Sequence, residues 1–252
     1  MRIPETVRVL NLRLKGIPCF VVSDRSAGEA LKTIIYYHGW SSTKENTYLF
    51  SSILAHWRYR VIIPEVIYHG ERGTLDYNDP GVIGEYFWTT VVQSVDEFKG
   101  LLEAVIDHFN LDPRAIAVAG NSMGAFIASG AFSLNKNVGT LVSINGSCAW
   151  KKAGEVFQVA DLLGSDKILK IIEQYDPIGD IASLASRPML LIHGSADTTV
   201  PIECQRFFYE QLVSYCGQQP PNVKFVEVQN LNHQITLGVM EEIIDWLEVF
   251  LK

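Results

Sequence analysis

Ala115-Ile116-Ala117-Val118-Ala119-Gly120-Asn121-Ser122-Met123-Gly124-Ala125 is the stretch that decides the fold. Its first five residues are short and apolar, which suits an inner strand of a sheet covered on both faces. A Gly-x-Ser-x-Gly turn follows, and then a run of small residues, Gly124–Phe132, that reads as a helix. Passing directly from strand to helix forces Ser122 into a strained backbone conformation. The flanking glycines leave room where side chains would strike the strand and helix alongside. The serine hydroxyl then projects at a helix start, where free N–H groups and the helix dipole favour developing negative charge. Taken alone the pentapeptide is a short pattern, and its serine could simply cap the helix. The strand before it and the helix after it favour the sharper turn.

Outward from that turn the chain alternates. Val7–Leu14 and Ile17–Val22, separated by Lys15-Gly16, read as an antiparallel hairpin at a sheet edge. Thr33–Tyr37, Val61–Ile63, Thr140–Ile144 and Met189–Ile192 are rich in Ile, Val and Leu and apolar on both faces. Val223–Val228 reads as a late strand. Helical spacing appears over about Glu45–Trp57, Val91–Phe109, Cys204–Tyr215 and Ile235–Leu251. This alternation predicts an α/β fold, a doubly wound and mostly parallel sheet of about eight strands. The interval of about 147–187 carries two expected helices, near Gly154–Leu163 and Asp166–Tyr175, and reads as a small helical lid within a single domain of 1–252.

Composition narrows the function classes. The 252 residues are 48% apolar and 19% charged, with a formal net charge of −7 and no Lys/Arg run, which argues against nucleic acid as a partner. Four scattered cysteines show no metal-binding or disulfide spacing. Met1–Glu5 lacks the apolar core of a secretory signal, and the apolar stretch Ala115–Phe132 is broken by its glycines, so no membrane span is expected. The reading is a cytoplasmic enzyme with no cofactor and no metal.

Three further motifs stand in order with the serine turn. Tyr37-His38-Gly39-Trp40 follows the third strand, His193-Gly194-Ser195-Ala196-Asp197 follows Met189–Ile192, and Leu231-Asn232-His233 precedes the last helix. With these the chain resembles the α/β-hydrolase superfamily from about Val7 onward, closest to the dienelactone hydrolase and prolyl oligopeptidase-like esterases. The resemblance implies a nucleophile Ser122, a base His233 and an orienting acid Asp197, in the order Ser, Asp, His that the fold uses. It also implies an oxyanion hole from the N–H groups of Met123 and Trp40. Chemistry agrees, since a serine alcohol needs an adjacent imidazole to take its proton. Of six histidines, His233 alone stands after the last strand; His38 and His193 precede glycines, His56 and His108 fall on helices, and His69 lies in a loop. Asp197 could instead cap the helix that follows Val200-Pro201, with Asp176 and Asp180 as rivals for the acid.

Gly39, His69 and Trp150 are the expected substrate contacts, and Trp88, Phe126, Trp150 and Phe157 the expected aromatic mouth. Tyr68-His69-Gly70-Glu71-Arg72-Gly73 resembles a pocket-rim loop, with Glu71 and Arg72 as a candidate ion pair. The implied reaction is hydrolysis of a small-molecule ester with a modest apolar acyl or alcohol group. A thioesterase would use the same three residues. A peptidase is disfavoured by the chain's size, and the departure from true dienelactone hydrolases is a serine where they carry cysteine. The rival of another class is a silent binding protein on this fold.

Overall fold

The computed structural model describes residues 6–28, 31–157 and 166–251. The first five residues, on which the signal-peptide reading rests, and most of the helix expected over about 154–163 lie outside the described residues.

Eight strands form one sheet: β1 (Val7–Leu14), β2 (Ile17–Asp24), β3 (Thr33–Tyr37), β4 (Arg60–Pro64), β5 (Ile116–Asn121), β6 (Thr140–Ile144), β7 (Met189–Gly194) and β8 (Val223–Val228). Their order is β1-β2-β4-β3-β5-β6-β7-β8. The β1–β2 hairpin joins β4 antiparallel, and every pairing from β4 to β8 is parallel. Every residue of β3, β4, β6 and β7 is buried, as both-face coverage requires.

Helices supply that coverage. On one face α1 (Tyr48–His56) and α8 (Leu237–Phe250) bury Phe50, Leu54, Val239, Ile243 and Leu247 against the sheet. On the other, α2 (Pro80–Phe109), α3 (Met123–Leu134) and, later in the chain, α7 (Glu203–Cys216) bury Val95, Phe98, Phe126, Phe132 and Phe208. Between β6 and β7 lie α4 (Trp150–Val156), α5 (Asp166–Tyr175) and the short α6 (Ile181–Leu184). The chain runs from β3 to β4 on one side, then returns through α2 to β5 on the other side of β3. That reversal opens a crevice at the carboxyl ends of β3 and β5, where such sheets bind ligands.

The largest difference from the sequence reading is α2, which begins eleven residues before Val91. Asp79 caps it by accepting from the N–H groups of Gly81 and Val82, with Pro80 in the first turn, where a missing N–H costs nothing. Of the helix expected near Gly154–Leu163, only 154–157 are described, and 154–156 close α4, which starts at Trp150.

Candidate active site

The serine turn is built as its glycines demand. Ser122 sits between β5 and α3 at φ 58° and ψ −126°, a conformation worth about 1–3 kcal/mol of strain for a non-glycine residue. It is pinned by its N–H donating to Ile144 O (2.9 Å) and its carbonyl accepting from Ala125 N–H (2.8 Å). A Cβ on Gly120 would collide with the carbonyl of Gly124, and one on Gly124 with that of Tyr37. Strand and helix therefore touch backbone to backbone.

Asp197 follows β7 and uses its two oxygens separately. Oδ1 accepts from the N–H groups of Thr199 (2.8 Å) and Val200 (2.9 Å) in the turn before α7; Oδ2 accepts from Nδ1–H of His233 (2.7 Å). The capping expected of Asp197 is not found, since α7 starts at Glu203 with Ile202 before it and no side-chain cap. A second imidazole stands behind: His193 Nε2 is 2.8 Å from Val200 O and 3.3 Å from Asp197 Oδ2. A carbonyl can only accept, so that nitrogen carries the proton. Burial alone would push the Asp197 carboxyl up, but the bonds from His193, His233 and the Val200 N–H outweigh it and hold the group well below the usual carboxylate range.

His233 lies in the loop between β8 and α8. With Nδ1 fixed on Asp197, its Nε2 makes no hydrogen bond among the described residues, and neither does the Ser122 hydroxyl. Both groups line one cavity of about 620 Å³. Two asparagines hold the loops in register. Asn232 Oδ1 accepts from the Thr198 N–H (3.0 Å) and hydroxyl (3.2 Å) and from the His233 N–H (2.7 Å), tying the acid loop to the base loop. Asn145, buried at the end of β6, accepts from Gly194 N–H and donates to Gln234 O and Asn121 Oδ1. Sequence reasoning passed over both, because an asparagine in a loop carries no pattern of its own.

The loop after β3 closes the other side. A Cβ on Gly39 would stand 3.3 Å from Ser122 Cβ, so this backbone packs directly on the serine. The N–H groups of Trp40 and Met123 have no partner among the described residues. The Trp40 ring is anchored by its indole N–H on Tyr77 O (3.0 Å). Beneath the loop, Val66 N–H donates to His38 Nε2 (3.2 Å) and the other ring nitrogen lies 3.0 Å from Gly39 O.

Other expected contacts are placed elsewhere. Gly39 lines the cavity, whereas His69 and Trp150 do not. His69 is fully buried, stacked on Tyr77 at 4.9 Å and edge-on to Trp40 at 5.6 Å, so it backs the Trp40 ring; burial lowers its imidazole to about 4. Trp150 is buried on Trp88 with its indole N–H on Ser129 Oγ. Trp88, carried on the inner side of α2, and Phe126 of α3 are equally buried, with their rings packed on each other at 5.6 Å. No described residue of 147–187 lines the cavity. Glu71 and Arg72 do not pair with each other: Glu71 meets Arg13 and Lys44, and Arg72 meets Glu97. Asp176 accepts from the N–H groups of Trp150 and Lys151 at the start of α4, and Asp180 pairs with Lys136, so neither reaches His233.

Sheet order, strained serine turn and placement of the Asp–His pair define a serine hydrolase of the α/β-hydrolase class. Comparison with known proteins agrees. The solved structure of TT1662 from Thermus thermophilus superposes with a TM-score of 0.82 at 20% identity, covering 100% of this chain and 99% of that one, a likeness of fold. The Bacillus subtilis protein YitV is 28% identical over 263 residues, 97% of this chain and 100% of its own length. Esterase YjfP of Escherichia coli is 30% identical over 196 residues, 75% of this chain and 77% of its own. Residues 90–251 match the prolyl oligopeptidase family, and the chain belongs to it.

Proposed function

We propose that this chain hydrolyses small-molecule carboxylic esters, with Ser122 as nucleophile, His233 as general base and Asp197 orienting the base. The observation that carries the reading is His233 itself. A buried carboxylate fixes its Nδ1 at 2.7 Å, while its Nε2 and the Ser122 hydroxyl are left unpartnered in one cavity. The esterase naming of YjfP supports the choice of bond.

Ser122 Oγ attacks the carbonyl carbon as its proton passes to His233 Nε2. The carbonyl oxygen becomes an oxyanion, which the unpaired N–H groups of Trp40 and Met123 receive. Collapse of that adduct breaks the bond to the alcohol oxygen, which takes the proton from Nε2 and leaves an acyl-serine. Water, deprotonated by the same nitrogen, attacks the acyl carbon, and the second collapse releases the acid and returns the proton to Ser122. Asp197 holds the imidazole in the required tautomer and steadies its cation.

The chain is also read as a cytoplasmic enzyme. Cys19, Cys148 and Cys204 are buried free thiols, and no helix among the described residues is long and apolar enough to cross a membrane. The decisive test is covalent labelling with a fluorophosphonate alongside p-nitrophenyl ester turnover. Wild-type protein should label and turn over, and Ser122→Ala should lose the label and slow by on the order of 10⁴–10⁶-fold. A wild-type protein that neither labels nor turns over esters is a silent binder.

A further inference from the structure

Among the described residues, the cavity shared by Ser122 and His233 takes no wall from the helices between β6 and β7. It runs between α1 and the start of α8, where Leu49, Phe50 and Ile53 face Ile235, Leu237 and Met240. No Asp, Glu, Lys or Arg lines it among the described residues. Two of its polar side chains are already engaged: Thr47 Oγ1 donates to Lys44 O, and Thr236 Oγ1 accepts from Val239 N–H. Ser42, Asn46 and Asn121 also line it, and the walls supplied by α1 and α8 are hydrocarbon.

Its rim is unusual. Leu49 is 70% exposed and Leu237 72% exposed, on different helices and on the same cavity. An isolated exposed leucine is ordinary, but two at the mouth of one apolar groove keep hydrocarbon in water beside a nucleophile. A chain lying between them would cover both.

We infer that the α1–α8 groove is the subsite for one uncharged apolar chain of the ester, and that Leu49 and Leu237 set the chain length accepted. This rests on the hydrolase reading above. An aliphatic chain entering the groove leaves water at each carbon, worth about fourfold in kcat/KM per methylene. A carboxylate at the chain end would be stripped of water with no cation to meet it. The chain can belong to the acyl or the alcohol half, and the two are separable by experiment.

The test measures kcat/KM for p-nitrophenyl acetate, butyrate and octanoate, for ethyl, butyl and octyl acetate, and for p-nitrophenyl hemisuccinate. Fluorophosphonate labelling counts active sites in each preparation. In wild type, rates should climb with chain length in one of the two series, which names the half that enters, and hemisuccinate should run at least about tenfold slower than butyrate. Leu49→Trp and Leu237→Trp should lower the long-to-short ratio in that series by about tenfold, and Leu237→Ala should move the optimum to a longer chain. Leu134→Trp, an exposed leucine outside the cavity, should leave the ratio in place. An unchanged ratio in both tryptophan variants that still label, or no climb in either series, overturns the subsite. Failure of wild type to label at all overturns the hydrolase reading beneath it.

Discussion

Lys44 Nζ lies 2.7 Å from Glu65 Oε2, and both side chains are withdrawn from solvent beneath the loop that carries Gly39 and Trp40. The Lys44 N–H also donates to Glu65 Oε1, and a Cβ on Gly70 would strike this carboxylate. Burial alone would raise the Glu65 carboxyl, but the bonds from the Lys44 ammonium and the Lys44 N–H help to outweigh it, and the group is held at about 2. Lys44→Met leaves the carboxylate buried and unpaired, a loss of about 3–5 kcal/mol. Chemical denaturation would read it as a lower midpoint at unchanged slope.

The same pair gives a pH dependence of known sign. With the folded value depressed, the stabilisation is complete above the unfolded value of about 4.3 and is lost as pH falls through about 2. The melting-temperature gap between wild type and Glu65→Gln should therefore be widest near neutral pH and shrink from about pH 4 downward. A gap independent of pH would remove the ionised carboxylate from this account.

His193 acts on the base only through Asp197. In His193→Phe the carboxylate loses one donor, so its pKa rises toward the ordinary range and it stays ionised over less of the acid side. The melting-temperature gap between wild type and His193→Phe should be widest near neutral pH and narrow below about pH 4. Equal loss at every pH would mean a packing defect instead.

Asn232 is the clasp between the Asp197 and His233 loops. Asn232→Ala removes the acceptor of three donors. A small displacement of the imidazole should lower kcat by about 10–100-fold with KM little changed. Asn232→Asp keeps the accepting oxygen and should recover most of the rate. Steady-state kinetics of the two variants decide the point.

Gly124→Ala tests the contact of helix on strand. The added methyl meets the carbonyls of Tyr37 and His38, and such overpacking typically costs about 1–3 kcal/mol. The melting temperature should drop and labelling of Ser122 should slow, because the turn and the Gly39 loop are pushed apart.

How far the sequence could be read follows from what makes a pattern. β1, β3, β6 and β8 appear at their expected bounds because apolar runs between turn residues leave little freedom. Ser122, Asp197 and His233 stand out in the sequence because each follows a strand in a recognisable local context. The first part of α2 was missed because Gly81 and Gly84 interrupt its apolar spacing, and only the Asp79-Pro80 cap announced it. The cavity wall was sought among Trp88, Phe126 and Trp150, since large aromatics suggest a pocket. Their burial against one another, from α2, α3 and α4, is tertiary, and nothing in local spacing reveals it. Glu65 directly follows β4 and no local pattern marks it; its buried partner Lys44 lies 21 residues away.

The backbone contact between β3 and α3 divides the site mechanically. Ser122 and the two N–H donors ride on neighbouring elements without side chains between them, so thermal breathing moves them together. Asp197 follows β7 and His233 the edge strand β8, and their loops reach that block through asparagine hydrogen bonds. Warming should loosen the proton relay before it disturbs the seat of the oxyanion, and reactivity toward reagents that need no base should outlast turnover.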